Sequence, residues 1–385
     1  MPVTDQLDRL AALEPAPYPV ISLYLNTQPG ATGRDQYQTF VRKEFAARSR
    51  TYPAGSPERR HLEEDFEKIA RYLESELEPS ANGVAIFACS AGELFEAVQL
   101  GAPIDQHWLY VGDQPHLYPL ARLESLYPRY AVVVADTNSA RILVCSTGDV
   151  VAEREIKGVK TRRTSQGGWS QARFQRHIEN FHLQHAKEVV EALDRIVQQE
   201  NIAEVVLAGD EVITPLLREQ MPKHLADRVV DHLRIDAGAP LDEVVEASLE
   251  SMKRVHGQTE REKVEAAIGA YRAGGLGVVG PEETLDALVK GQVDELLVTA
   301  SLRELQSLSG GATTGRTTAD DRAVAEPIVE PGAAGEAATA APEAVRLADE
   351  LITRAAQTSA RITFIEDPAL LADYGGVAAL LRFRI

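Results

Sequence analysis

The chain is short of cysteine. Only Cys89 and Cys145 occur in 385 residues, so neither a disulfide framework nor a cysteine-built zinc site is available. Each lies in an apolar, strand-like run (VAIFACS and ARILVCS), the setting of a buried thiol in a reducing compartment. Positive charge is also scarce: 40 Lys and Arg face 58 Asp and Glu, a formal net charge of −18. That balance excludes a protein that coats nucleic acid by bulk electrostatics, because phosphate binding needs clustered cations. Any RNA contact must come from a local basic patch. No run approaches the roughly 18 apolar residues of a membrane span, and the opening MPVTDQLDRLAALEP lacks the basic start and apolar core of a secretory signal. The expectation is a soluble cytoplasmic protein with no membrane or DNA partner. What is present is apolar material for real cores, 44% of residues, in a chain long enough for two or three domains.

Periodicity divides the chain. A β-type run at Val20–Asn26 is followed by helix-period stretches at 37–48 and 60–77 and by strand-like runs at 84–89 and 108–111. Pro128 marks a boundary before the apolar strand 130–135. A hairpin follows through Thr137-Asn138-Ser139, then a charged Gly-rich loop at 154–170 and a long helix at 170–199. That helix carries an apolar stripe at Phe174, Ile178, Phe181, Val189, Leu193 and Ile196, with His185 in the gap. EVVLA at 204–208 reads as a buried parallel strand, which makes the core α/β. From Ala239 come a charged helix at 241–272, a short helix at 281–290 and a strand at 295–299. Between Ser309 and Pro342, 23 of 34 residues are Ala, Gly, Thr or Pro and none is aromatic. Such a composition cannot bury enough surface to fold, so 309–342 is expected to be a disordered insertion. A helix at 343–357, a strand at 361–365 and the ending GGVAALLRFRI complete the pattern. The expected domains are 1–126, 127–238 and 239–385.

The chemistry concentrates in one place. From Arg154 to His177 the chain holds Arg154, Lys157, Lys160, Arg162, Arg163, Arg173 and Arg176 against the single acid Glu155. This is the local patch that the overall charge demands. Gly167 and Gly168 open backbone conformations closed to other residues, at a loop that feeds a helix N-terminus with free N–H groups. Such a tip can approach a phosphate, a sugar or an ester carbonyl. Arg173, Arg176 and Lys187 extend the basic face along the helix. A solvated connector with Trp169 packed on its own domain is the alternative.

GGWSQARFQRHIE, beginning at Gly167, resembles gap for gap the Gly-Gly-Gln-Ser-Ala-x-Arg-Phe segment of class 1 release factors from archaea and eukaryotes. VVLAGDEVITPLL, GVVGPEETLDALVKGQVDELLVT, GGVAALLRF and VISLYLN are similar, in the family's order, to segments of its central, C-terminal and N-terminal domains. The chain is identified as a member of the bacterial branch of this superfamily, the bacterial archaeo-eukaryotic release factors, related to Pelota and to the peptidyl-tRNA hydrolase of ribosome quality control. The resemblance implies an α/β, three-domain architecture with an RNase H-like central domain and an L30e-like C-terminal domain. It implies a factor of the ribosomal A site, with rRNA and peptidyl-tRNA as partners, a translational GTPase as a further one, and no cofactor. In hydrolysing members the Gln after Gly-Gly positions water against the peptidyl-tRNA ester. Here Trp169 stands at that place and the nearest loop glutamine is Gln171. An indole only donates, whereas an amide also accepts. The candidate catalytic set is therefore Gly167, Gly168, Trp169 and Gln171, in a possible peptidyl-tRNA hydrolase; the alternative is a non-catalytic hibernation or Pelota-like rescue factor. The N-terminal codon-reading motifs of the family are not visible.

Three patterns imitate other functions. Gly275–Gly280 fits G-x-G-x-x-G but follows a helical stretch where a dinucleotide fold requires a strand. His182 and His185, with Glu188, have metal-ligand spacing without a further ligand, so a packed or RNA-facing pair is expected and no metal. Asp136 and Asp210 both end apolar strands, as nuclease carboxylates do; turn capping is the better expectation.

Overall fold

The run Val20–Asn26 becomes β1 and is paired antiparallel on both sides, to β2 (Gly83–Cys89) and to β4 (Trp108–Gly112). β3 (Leu94–Leu100) returns beside β2. Outside β4 lies a two-residue strand, β12 (Ile328–Val329), opposite Leu109 and Trp108. The structure is a computed structural model that describes residues 3–14, 18–28, 37–146, 148–157, 171–305, 328–329 and 342–384. Most of the expected disordered insertion, 309–342, lies outside these; Ile328, Val329 and Pro342 are the exceptions, the first two paired through the backbone with β4.

Two helices cover one face of this first sheet. α2 (Tyr37–Ser49) and α3 (Pro57–Ser75) bury Phe40, Phe45, Phe66 and Ile69 against Ile21, Leu23 and Leu25, and the Phe45 and Phe66 rings stack at 3.9 Å. α3 starts where its chemistry allows: the Ser56 hydroxyl accepts from Arg59 N–H, and Pro57 occupies the first turn. The other face packs α1 (Val3–Ala11) and α4 (Tyr118–Leu126), two helices that the sequence reading omits.

The C-terminal residues build a four-stranded sheet in the order β10 (Gly277–Val279), β14 (Val377–Leu381), β11 (Val293–Thr299), β13 (Arg361–Ile365). β11 and β13 are parallel and β14 runs against β11. α9 (Pro281–Val289) and α10 (Pro342–Gln357) complete this part. In the closing Gly-Gly pair, Gly376 has φ +81° and a Cβ there would stand 2.9 Å from the Glu304 carbonyl oxygen, so glycine is required. One apolar cluster joins Leu7, Leu10 and Leu120 to Leu296, Ala348, Leu351 and Ile352. Residues 1–126 and 257–385 accordingly form one compact unit, and 127–256 form another.

The second unit has its own sheet, ordered β7 (Asp149–Lys157), β6 (Ser139–Ser146), β5 (Tyr130–Ala135), β8 (Glu204–Gly209), β9 (Val229–Leu233). β5, β8 and β9 are parallel, while β6 and β7 form the antiparallel side. α5 (Gln171–Gln199), α6 (Ile213–Gln220) and α7 (Lys223–Ala226) pack on one face. The opposite face takes the first half of α8 (Leu241–Arg272) through Val244 and Met252. The division between units thus falls inside α8, at 256/257. The reason is a set of pairs that no local pattern reveals: Tyr130 Oη with Ser248 Oγ at 2.9 Å, His256 Nε2 with Glu204 at 3.0 Å, and Asp231 with Ser251 and Arg254. The chain is a mixed α/β protein whose described residues form three sheets.

Candidate functional site

The basic segment joins an edge strand to a helix. β7 ends at Lys157, whose side chain is exposed and lies 3.0 Å from the Glu155 carboxylate. Lys160, Arg162, Arg163, Gly167, Gly168 and Trp169 lie outside the described residues. Gln171 is the first residue of α5; Arg173 and Arg176 follow in its opening turns, their side chains outside the description.

α5 is long. Its 29 residues span about 43 Å at the rise of an α-helix. Among its described side chains, burial starts at His185 and continues through Ala186, Val189, Val190, Leu193 and Val197; none from Glu179 to Gln184 is buried. The stretch from Glu179 to Gln184 therefore runs about 9 Å ahead of the first buried side chain. The predicted stripe is correct at Val189 and Leu193, whereas Phe181 is half-buried. Arg173, Arg176, Asn180, Gln184, Lys187 and Glu191 follow one another by threes and fours and so share one side of the helix. Lys187 is exposed there beside Glu188, which accepts from Gln184 Nε2 at 3.1 Å. The face is basic at its beginning and turns acidic at its anchored end. No acid lies in the first turn of α5, so the positive end of the helix dipole adds to the charge of the segment before it.

The imitating patterns resolve by geometry. The carboxylates of Asp136 and Asp210 sit at the ends of adjacent parallel strands, one residue beyond the Ala135–Gly209 pair. Each is occupied with backbone. Asp136 Oδ1 accepts from Asn138 and Ser139 N–H at 2.6 and 2.7 Å, and Asp210 Oδ1 from Val212 and Ile213 N–H, both at 2.8 Å. Between them, a Cβ on Gly209 would stand 2.2 Å from the Ala135 carbonyl oxygen, which shows how closely the two strand ends approach. His185 is buried, His182 half-buried against Phe181, and Glu188 exposed, so the three do not converge. Among the described residues no group of three or more His, Cys, Asp or Glu is arranged to hold a metal. Gly275–Gly280 connects the end of α8 to β10 and α9, a helix–strand–helix passage rather than a strand-to-helix phosphate turn.

The half-buried edge of the central sheet contains titratable groups that the sequence reading did not select. Burial and then the Arg218 charge push the His232 pKa down, with Asp231 opposing. Burial raises Asp231, but Ser251, the His232 backbone N–H and Arg254 outweigh it and hold the carboxyl below its ordinary value. Asp231 thereby fastens β9 to α8.

Residues 115–253 match the model of bacterial archaeo-eukaryotic release factor family 10. Over that stretch the chain is similar to the bacterial branch of the archaeo-eukaryotic release factor superfamily. The matched stretch contains the basic segment, all of α5 and the central sheet, so the family's pattern coincides with the second unit. Among solved structures, the chain is similar to an archaeal translation termination factor, aRF1, at 16% identity, with 98% of this chain and 96% of that chain covered and a TM-score of 0.25. Ribosome-bound archaeal Pelota with ABCE1 gives 14% identity, 99% and 94% coverage and a TM-score of 0.41. Dom34 of S. cerevisiae, a translation termination-like factor involved in RNA quality control, gives 10% identity, 76% and 73% coverage and a TM-score of 0.43. No curated protein matches the sequence. Among the described residues no helix is long and apolar enough to cross a membrane.

Proposed function

We propose that this release-factor relative is a cytoplasmic translation factor that enters the ribosomal A site and acts on stalled peptidyl-tRNA. The supporting observation is a +6 segment, in a chain of net charge −18, that leads into α5, whose described side chains are buried from His185 onward and not between Glu179 and Gln184. A helix led by such a segment carries a short cationic tip into an RNA-lined channel while the acidic remainder stays outside. Arg162, Arg163, Arg173 and Arg176 supply the phosphate contacts, with Lys157, Lys160 and Lys187 at the margins. rRNA and peptidyl-tRNA are the partners, and a translational GTPase is a further one.

At the tip, Gly167 and Gly168 let the backbone approach the ester, and backbone N–H groups with the Trp169 indole donate to the developing oxyanion. Gln171 is the amide that orients the attacking water; its carbonyl oxygen accepts the hydrogen bond that an indole cannot. One observation favours a second reading, a non-catalytic rescue or hibernation factor: Trp169 replaces the family's glutamine, and an indole stacks on an unpaired base with about 1–3 kcal/mol. Sedimentation with ribosomes over a salt series tests the shared part of both readings. Binding should weaken steeply with salt, and reversing Arg162, Arg163 and Arg173 to Glu should abolish it. Unchanged sedimentation of the triple variant would overturn the basic-segment reading.

A further inference from the structure

His116 is wholly buried, yet it carries a polar ring into an apolar cluster. Its ring stacks with Trp108 (centroids 5.8 Å apart), tilts over Tyr110 (5.0 Å) and meets the edge of Tyr24 (6.2 Å). Nδ1 lies 2.6 Å from Asp349 Oδ2, on α10 and 233 residues away in sequence. The other carboxylate oxygen of Asp349 accepts from the N–H groups of Leu117 and Tyr118 at 3.0 and 3.1 Å. Those two N–H groups stand at the start of α4, where a helix has no internal acceptors for them. The α4 N-terminus therefore takes its cap from the other end of the chain. The backbone of His116 is fixed on the near side, its N–H donating to Ser22 Oγ at 2.9 Å and its carbonyl accepting from Tyr24 Oη at 2.5 Å.

We infer that Asp349 is the latch of an interaction surface on residues 257–385 whose partner is the chain's own 1–126 segment. The two are halves of one folding body into which 127–256 is inserted. Three kinds of contact support the commitment to this occupant. The apolar cluster is continuous across the junction, from Leu7, Leu10 and Leu120 to Ala348, Leu351 and Ile352. Tyr118 Oη donates to the Thr299 carbonyl at 2.8 Å, and Gln357 Nε2 to the Ala11 carbonyl at 2.8 Å. Asp349 itself is half-buried, with 14% of its side chain exposed, and all three of its donors, His116, Leu117 and Tyr118, come from the N-terminal half. A half-buried carboxylate whose donors all lie across a junction sets the register of that junction, because any sliding leaves the charge unpaired.

The test uses the full chain with a site-specific protease sequence placed between Leu126 and Tyr127. After cleavage at about 1 μM, 1–126 should stay bound to 127–385 through gel filtration. With Asp349→Ala the association should weaken at least tenfold, and Asp349→Asn, which keeps an acceptor for the two N–H groups, should recover part of it. In the uncut chain, amide exchange at Leu117 and Tyr118 should rise at least tenfold in Asp349→Ala, while amides of β5 and β8 keep their wild-type rates. Separation of the cleaved wild-type halves would overturn the inference. So would Leu117 and Tyr118 amides that exchange at the wild-type rate in Asp349→Ala.

Discussion

Asp210 separates a turn cap from a metal-binding carboxylate. Its Oδ1 closes the first turn of α6 by accepting two N–H groups at 2.8 Å, and it stands beside Asp136 at the ends of neighbouring parallel strands. Removing such a cap costs about 1 kcal/mol, within a range of roughly 0.5–2, whereas Asn caps as well as Asp. Asp210→Ala should thus lower the melting temperature of the 127–256 unit by about 3–5 °C, and Asp210→Asn should stay within about 1 °C of wild type. A metal-holding carboxylate predicts another order, since Asn and Ala both remove the charge that a divalent cation requires. The assay pairs calorimetry with incubation of labelled RNA in Mg²⁺. Equal destabilisation by Asn and Ala would refute the capping argument, as would Mg²⁺-dependent RNA cutting by the wild type that Asp210→Asn removes.

Gly209→Ala should be far more damaging than any cap variant, because its Cβ meets a backbone oxygen 2.2 Å away that no side-chain rotation can move; a loss of about 3 kcal/mol or more in chemical denaturation is expected. Lowering the pH from 7.5 to 5 should destabilise the 127–256 unit through His232. Its folded pKa lies below the ordinary value, so its contribution is intact above about 6.5 and is lost as the unfolded chain takes up the proton first; His232→Gln should flatten that part of the profile, and an unchanged slope would contradict it. Deleting 309–341 should leave the melting temperature within a few degrees, since shortening a loop costs little and, among the described residues, the pairing lost is that of Ile328–Val329. A fall above about 10 °C would show that the segment contributes to the core.

The α/β class was readable because strand runs such as Tyr130–Ala135 and Val205–Gly209 are continuous apolar blocks, buried on both faces. Their order, with the glycine-rich segment and the closing Gly-Gly, carries the resemblance to release factors. The junctions were not readable. α4 is short and mixes Pro119, Arg122 and Glu124 with its apolar residues, and its cap is supplied from residue 349. The first half of α8 looks like any charged helix until Ser248, Ser251, Arg254 and His256 meet partners on the central sheet. Spacing did not show where burial on α5 starts among its described side chains, because Phe181 continues the stripe yet is only half-buried. The two decoy aspartates were legible as turn formers, since Asp-x-Asn-Ser and Asp-x-Val-Ile place N–H groups two and three residues on.

Single-turnover release of a labelled peptide from peptidyl-tRNA on purified ribosomes, with sedimentation of the same mixtures, tests the central reading most directly. Wild type should bind and release peptide above the ribosome-only background. Gln171→Ala and Gly168→Ala should still bind but release nothing, and Trp169→Ala should mainly lower the rate. Tight binding by wild type with no release above background would contradict peptidyl-tRNA hydrolysis and leave the stacking, non-catalytic factor; no binding at low salt would contradict both.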